Sequence, residues 1–186
     1  MPRQTNTSPS LLTALTLCAL LLAGHAMADN QLPRSFGAFK LGMSVEQFHK
    51  LTGITPMPCP VCVADELFAT LDGAQALRFT PSDLIGQGID FFFFQGRLYQ
   101  MAIAPPLQAA SQARDDFSEF FGPPEPPEGQ GNGIARLKWH SDDTLLTVNY
   151  HVALDQAFVI NFYDARLLQL RQQQQTRMFR NAGIEE

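Results

Sequence analysis

The sharpest chemistry in the sequence sits in one loop, Met57-Pro58-Cys59-Pro60-Val61-Cys62. Two thiols and a thioether spaced M-x-C-x-x-C are soft donors, and in the reduced state such a set suits Cu(I). The same two cysteines, once oxidised, close a short disulfide loop. A thioredoxin-type redox pair would need a parallel βαβ setting, and none surrounds the loop. A haem-attachment site needs His after the second cysteine, where Val63 stands. Pro58 and Pro60 stiffen a loop that would have to wrap a metal. The expectation is therefore a structural disulfide between Cys59 and Cys62. Metal ligation by Met57, Cys59 and Cys62 is the alternative.

Other side chains suit recognition better than catalysis. His140 lies close to Asp142 and Asp143, but Ser141-Asp142-Asp143 between two strand-like runs is turn chemistry. No nucleophile elbow, zinc-protease helix or phosphate loop occurs. Gly129-Gln130-Gly131-Asn132-Gly133 follows prolines instead of a strand, so it is not a dinucleotide loop. No catalytic residue and no cofactor is assigned. Side chains alternate across a strand, so the run Phe91 to Phe94 places two rings on each face. It is either a central strand buried on both sides or a strand with one apolar face, Phe92 and Phe94, left for a partner. In the three runs 134–140, 144–152 and 157–163, apolar positions alternate with Lys138, His140, Thr147, Asn149, His151, Asn161 and Tyr163. These polar residues share one sheet face. They form either an ordinary solvated surface or a recognition surface for a protein, peptide or glycan. The binding candidates are Phe92, Phe94, Lys138, His140, Asn149, His151 and Tyr163.

Positioning these groups requires a definite set of elements. Residues 36–41 read as a short strand, turned at Gly42. Ser44 with Gln47 has the capping-box spacing, and Val45, Phe48 and Leu51 follow at helical intervals to Gly53. Residues 54–62 are loop, 63–72 a short helix or irregular segment, and 75–80 a strand ended by Pro81. IDFFFFQ and RLYQMAIA flank a Gly-containing turn and make a hairpin. Residues 107–121 form a helix stopped by Gly122 and Pro123-Pro124. A flexible connection over 123–133 leads to the three polar-faced strands, and a last helix capped by Asp164 frays toward its Gln-rich end.

The plan repeats. Phe48, Leu51 and Gly53 align with Phe117, Phe120 and Gly122 at a constant offset of 69 residues. The expected fold is α+β, an antiparallel sheet with two helices on one face, built as a tandem repeat of a helix plus three strands. The halves would be 29–122 and 123–186, in one compact domain over 29–186. A strand, Leu41-Gly42-Met43-Ser44 and an amphipathic helix, then a Gly-Pro helix end and a meander opening with Trp139, resemble small exported bacterial helix-plus-meander proteins. The β-lactamase-inhibitor protein and the small lipoprotein of the outer-membrane assembly machine share this plan. The resemblance spans most of 36–163 and implies a protein-binding or envelope-assembly role. It carries no functional residues, and the chain lacks the lipoprotein's lipobox, since Leu17 precedes Cys18.

The first 28 residues read as a cleaved signal peptide: Arg3, an apolar run over 11–24, and Ala26-Met27-Ala28 before Asp29. Removing them leaves 186 − 28 = 158 residues and moves the net charge from −5 to −6, since Arg3 leaves with them. That acidic balance argues against a general nucleic-acid or anionic-membrane binder. The expected product is periplasmic or secreted, with a protein or peptide partner in the envelope and no stable membrane insertion after cleavage.

Overall fold

The structure is a computed structural model that describes residues 31–60, 62, 66–129 and 133–183. The signal segment expected over 1–28 lies outside the described residues.

A small hairpin opens the fold. β1 (Ser35–Phe36) and β2 (Phe39–Lys40) pair with each other in a separate two-stranded sheet, where a single strand was expected. Gly37 forces the change: it adopts φ 59° at the turn and lies so close to Thr80 that a Cβ would meet its hydroxyl at 2.1 Å. Gly42 turns the chain as expected, at φ 84°. Its amide donates to Leu98 (2.7 Å), and Leu98 returns a bond to Met43 (2.9 Å), which fixes where the next helix starts. That helix, α1 (Val45–Thr52), has the full capping box between Ser44 and Gln47 and ends at Gly53 in the left-handed region.

The large sheet is antiparallel throughout. β3 (Met57–Pro58) and β4 (Glu66–Asp72) come first, then the short helix α2 (Gly73–Phe79), then the hairpin β5 (Gly88–Phe94) and β6 (Arg97–Ala104). β7 (Gln108–Ala109) leads into α3 (Ala110–Phe121). β8 (Glu125–Gly129), β9 (Ile134–His140), β10 (Thr144–His151) and β11 (Gln156–Asp164) follow, and α4 (Ala165–Asn181) closes the chain. The strand order is β3-β4-β5-β6-β11-β10-β9-β8, with β7 set beside β11. Two meanders are thus joined through their last strands, β6 and β11. Each meander has four strands, not three.

Several local assignments differ from expectation: within the expected loop 54–62, Met57–Pro58 pairs with β4, and Gln108–Ala109 pairs with β11 where the helix over 107–121 was expected to begin. Residues 66–72 form a strand because Leu67, Ala69 and Leu71 alternate with Glu66, Phe68 and Thr70, a period of two. Residues 73–79 form a helix because Asp72 and Gln75 cap each other reciprocally, as Ser44 and Gln47 do. Residues 125–129 form an edge strand instead of flexible connection; Pro126 and Pro127 are tolerated there because an edge strand leaves amides unpaired.

One side of the sheet carries the main core. Phe48 of α1 packs on Phe91 and Phe93 of β5 at ring-centroid distances of 4.9 and 5.2 Å, and Phe39 lies 4.5 Å from Phe91. In the second meander Phe117 of α3 meets Trp139 of β9 edge-on at 5.6 Å. The Trp139 indole donates to the Gly122 carbonyl at 2.8 Å, tying the end of α3 to the sheet. The two helices expected on one face are there, joined by α2 through buried Ala76. α4 departs from that expectation. It packs against β6 and β11, and its Arg171 reaches Glu66 on the opposite, outer face.

Candidate functional site

Strand register assembles the outer face row by row. Phe68 pairs with Phe92, Phe92 with Gln100, Gln100 with Tyr163, Tyr163 with Leu145 and Leu145 with His140. Directly opposed residues of an antiparallel pair point to the same face, so these six side chains form one band across six strands. The next band reads Thr70, Asp90, Ala102, Asn161, Thr147, Lys138 and Glu125. A shorter third band places Val159, Asn149 and Arg136 level with one another.

The bands are wired internally. Gln100 Nε2 donates to Asn161 Oδ1 at 3.0 Å, and Asn161 Nδ2 donates to Thr147 Oγ1 at 3.3 Å. Arg136 Nε donates to Asn149 Oδ1 at 2.9 Å, Thr70 to Asp90 at 2.6 Å, and Lys138 pairs with Glu125 at 3.3 Å. Asn161 and Thr147 are buried although they lie on the outer face. Tyr163 is half-buried beside them, and desolvation holds its phenol above the ordinary range, against the opposing pull of Arg136 and Arg171. The centre of the face is therefore a rigid, self-satisfied polar floor rather than an array of free hydrogen-bonding groups.

Every polar candidate from the sequence lands on this face. Lys138, Asn149 and Tyr163 are half-buried in the network, while His140 and His151 are exposed. Phe92 is half-buried and lies 6.2 Å from Phe68. Phe94 does not belong to an open surface. It is fully buried, set edge-on to Tyr99 at 6.5 Å. The reason is a β-bulge: the pairing jumps between Phe92 and Phe93, so Tyr99 is an extra residue on β6. Its hydroxyl donates to Glu66 Oε2 at 2.9 Å, while Arg171 Nε donates to Glu66 Oε1 at 2.9 Å. Phe94, Tyr99 and Glu66 are all buried, at the part of the face that α4 approaches.

A second bulge exposes what the alternation rule hid. Register jumps between Asn149 and Tyr150, so Ala157 faces the core while Phe158 joins the outer face. There Phe158 lies against His151 in a tilted ring contact at 4.8 Å. The turn after β10 presents Val152 and Leu154, the latter 69% exposed, and Leu107, 87% exposed, precedes β7 level with Phe158. Asp155 holds this end in shape: its αL backbone accepts from Ala110 N–H at 2.7 Å and its carboxylate accepts from Ser111 N–H at 3.1 Å. Phe158, Leu107, Val152 and Leu154 were missed as site residues. The signal available in the sequence was the apolar Val152-Ala153-Leu154 in a loop that should be polar.

The cysteine loop joins the edge of the first meander. Cys59 and Cys62 form a disulfide with Cα atoms 5.3 Å apart, and Cys59 N–H donates to the Glu66 carbonyl at 3.0 Å. With both sulfurs bonded to each other, the loop presents no thiolate pair; exposed Met57 stands on the edge strand beside it. Among the described residues, no cluster of three or more His, Cys, Asp or Glu could hold a metal ion. No helix among them is long and apolar enough to cross a membrane.

No protein family matches the sequence, and no curated protein does. Among solved structures, an extracellular protein containing an SCP domain from Bacillus anthracis str. Ames is similar over 80% of this chain and 51% of its own, with a TM-score of 0.44 and 11% identity. The chain spans about half the length of that protein.

Proposed function

We propose that this is an exported protein of two related halves that acts by binding another protein through the outer face of its sheet, without catalysis. One observation carries the reading: exposed Phe158 lies against His151 on that face, with exposed Val152 and Leu154 in the turn that follows His151 and exposed Leu107 just before β7. Apolar groups gathered on a surface mark contact sites, and aromatic anchors dominate the energetics of such contacts. The polar floor beside them is already hydrogen-bonded within the chain. It can be covered by a protein surface with less desolvation cost than an array of unpaired groups would carry.

Export is supported by the charge-free apolar run over 11–24 before Ala26-Met27-Ala28, and by the Cys59–Cys62 disulfide, which persists in an oxidising compartment. The periplasm is the destination this reading favours. A tandem origin is supported by the paired meanders and by matching helix positions: Phe48 and Phe117 are both buried, and Gly53 and Gly122 both end their helices with positive φ.

The test is site-specific photo-crosslinking in the native cell envelope. A photoreactive phenylalanine analogue replaces Phe158, or Phe120 of α3 as an exposed control. The expected result is a discrete adduct from position 158 alone, lost when Val152→Asp and Leu154→Asp are added. Absence of an adduct at 158, or the same adducts from both positions, would overturn the reading.

A further inference from the structure

α4 differs from every other long element of the fold. Over seventeen residues it contains none that is buried, and beyond Gln175 every residue to Gly183 is exposed. Its first turn is well anchored. Asp164 accepts from Leu167 N–H at 2.9 Å, and Arg34 grips Asp164 while also pairing with Asp143 at 2.8 Å. Further along, the helix meets the sheet at Arg171, whose guanidinium reaches the fully buried carboxylate of Glu66, 105 residues away.

That ion pair fixes position more than it holds tightly. Removing Glu66 from water carries a desolvation penalty that offsets much of its attraction to Arg171. If α4 lifts away, both charges regain water, so opening does not strand an unpaired ion. The Leu, Arg and Gln residues of α4 favour the helix itself, but helices in proteins draw most of their stability from packing, and this one buries no side chain fully. It therefore belongs to the low-stability end of the molecule. The strands under it belong to the high end, bonded on both sides.

We propose that α4 is a strap hinged at Asp164 that lifts from the sheet as a unit, baring Phe94 and Tyr99 and extending the outer face toward Phe92 and Phe68. α4 is then the internal occupant of an aromatic seat that the binding partner takes over. The role given to the bared seat rests on the outer-face reading above, but the opening itself is measurable without a partner.

The experiment is amide hydrogen exchange with mass spectrometry, together with mapped nitration of Tyr99 by tetranitromethane. It uses the wild-type chain, Arg171→Gln, and the double variant Glu66→Gln/Arg171→Gln, which leaves no unpaired buried charge if the single variant fails to fold. In the wild type, amides at 168–175 should exchange faster than those of β10 and β11. Arg171→Gln leaves the buried Glu66 carboxylate without the Arg171 cation while α4 is closed, so it should speed exchange of these α4 amides and nitration of Tyr99 by about tenfold or more, with β10 unchanged. The double variant, with no stranded charge, should speed both by a smaller factor. The proposal is overturned if the α4 amides exchange at the rate of β10 and β11 in the wild type. It is equally overturned if neither variant raises Tyr99 nitration, or if helix and sheet lose protection together in the folded double variant. A crosslinking failure at Phe158 with α4 opening as described would instead sink the outer-face reading and leave the strap.

Discussion

Asn161 shows how a single buried amide organises the outer face. It accepts from Gln100 and donates to Thr147, and it lies on β11, the strand that joins the two meanders. Replacing it with alanine would leave a Gln100 donor and the Thr147 hydroxyl without that partner in a site water reaches poorly. Asn161→Ala should destabilise the fold by about 1–3 kcal/mol, read as a lower denaturant midpoint with an unchanged slope. Loss at exposed His140 should be near zero by the same measurement. At this scale the sequence was legible wherever strict alternation held. Lys138, His140, Asn149, His151 and Tyr163 all reach the face their spacing assigned. It was illegible at the two bulges, because one inserted residue reverses the alternation beyond it. That is why Phe158 turned outward. Phe94 kept its assigned face but is buried there in company with Tyr99, the extra residue of the other bulge, and Glu66, a burial that spacing along one strand does not encode.

Elements were legible where caps and periodicity agreed and misread where composition overrode them. α1 was found through Ser44 and Gln47. Asp72 and Gln75 repeat that signature, yet Gln75–Thr80 reads as a strand if the β-type residues Phe79 and Thr80 are weighted above the cap. Residues 63–72 read as a short helix or irregular segment, yet 66–72 is a strand, and the structure buries its Glu66 by giving it Tyr99 and Arg171. The capping argument is testable. Asp72 accepts from Gln75 N–H at 2.8 Å and Gln75 Oε1 accepts from Asp72 N–H at 3.2 Å, so Asp72→Ala removes half of the box. It should cost about 1 kcal/mol, and Asp72→Asn should recover most of it in the same unfolding assay. A strand at 75–80 would instead be indifferent to the identity of residue 72.

The two halves share side chains as well as a sheet. Phe36 of the opening hairpin stacks on Phe162 of β11 at 5.8 Å, and Arg34 bonds to Asp143 and Asp164 of the second half. The only tryptophan, Trp139, is buried in the second meander, whereas Tyr99 is buried in the first. This separation makes alkaline pH a test of cooperativity. Burial raises the Tyr99 phenol, helped by the charge of Glu66, and burial raises Tyr163 as well, both from the ordinary value of 10.0. A folded pKa above the unfolded one means that the native state holds its proton more tightly at high pH. The stability this contributes is complete below pH 10 and is lost as pH rises above it. Two of the three tyrosines should therefore resist ionisation, followed by absorbance at 295 nm, until unfolding releases them together. If the halves are one cooperative unit, that release coincides with the red shift of Trp139 emission, because ionising Tyr99 in the first meander unfolds the second with it. Tyrosine ionisation completed several tenths of a pH unit before the Trp139 shift would mean that the first meander opens alone. The β6–β11 seam would then be a boundary between two folding units rather than the middle of one sheet.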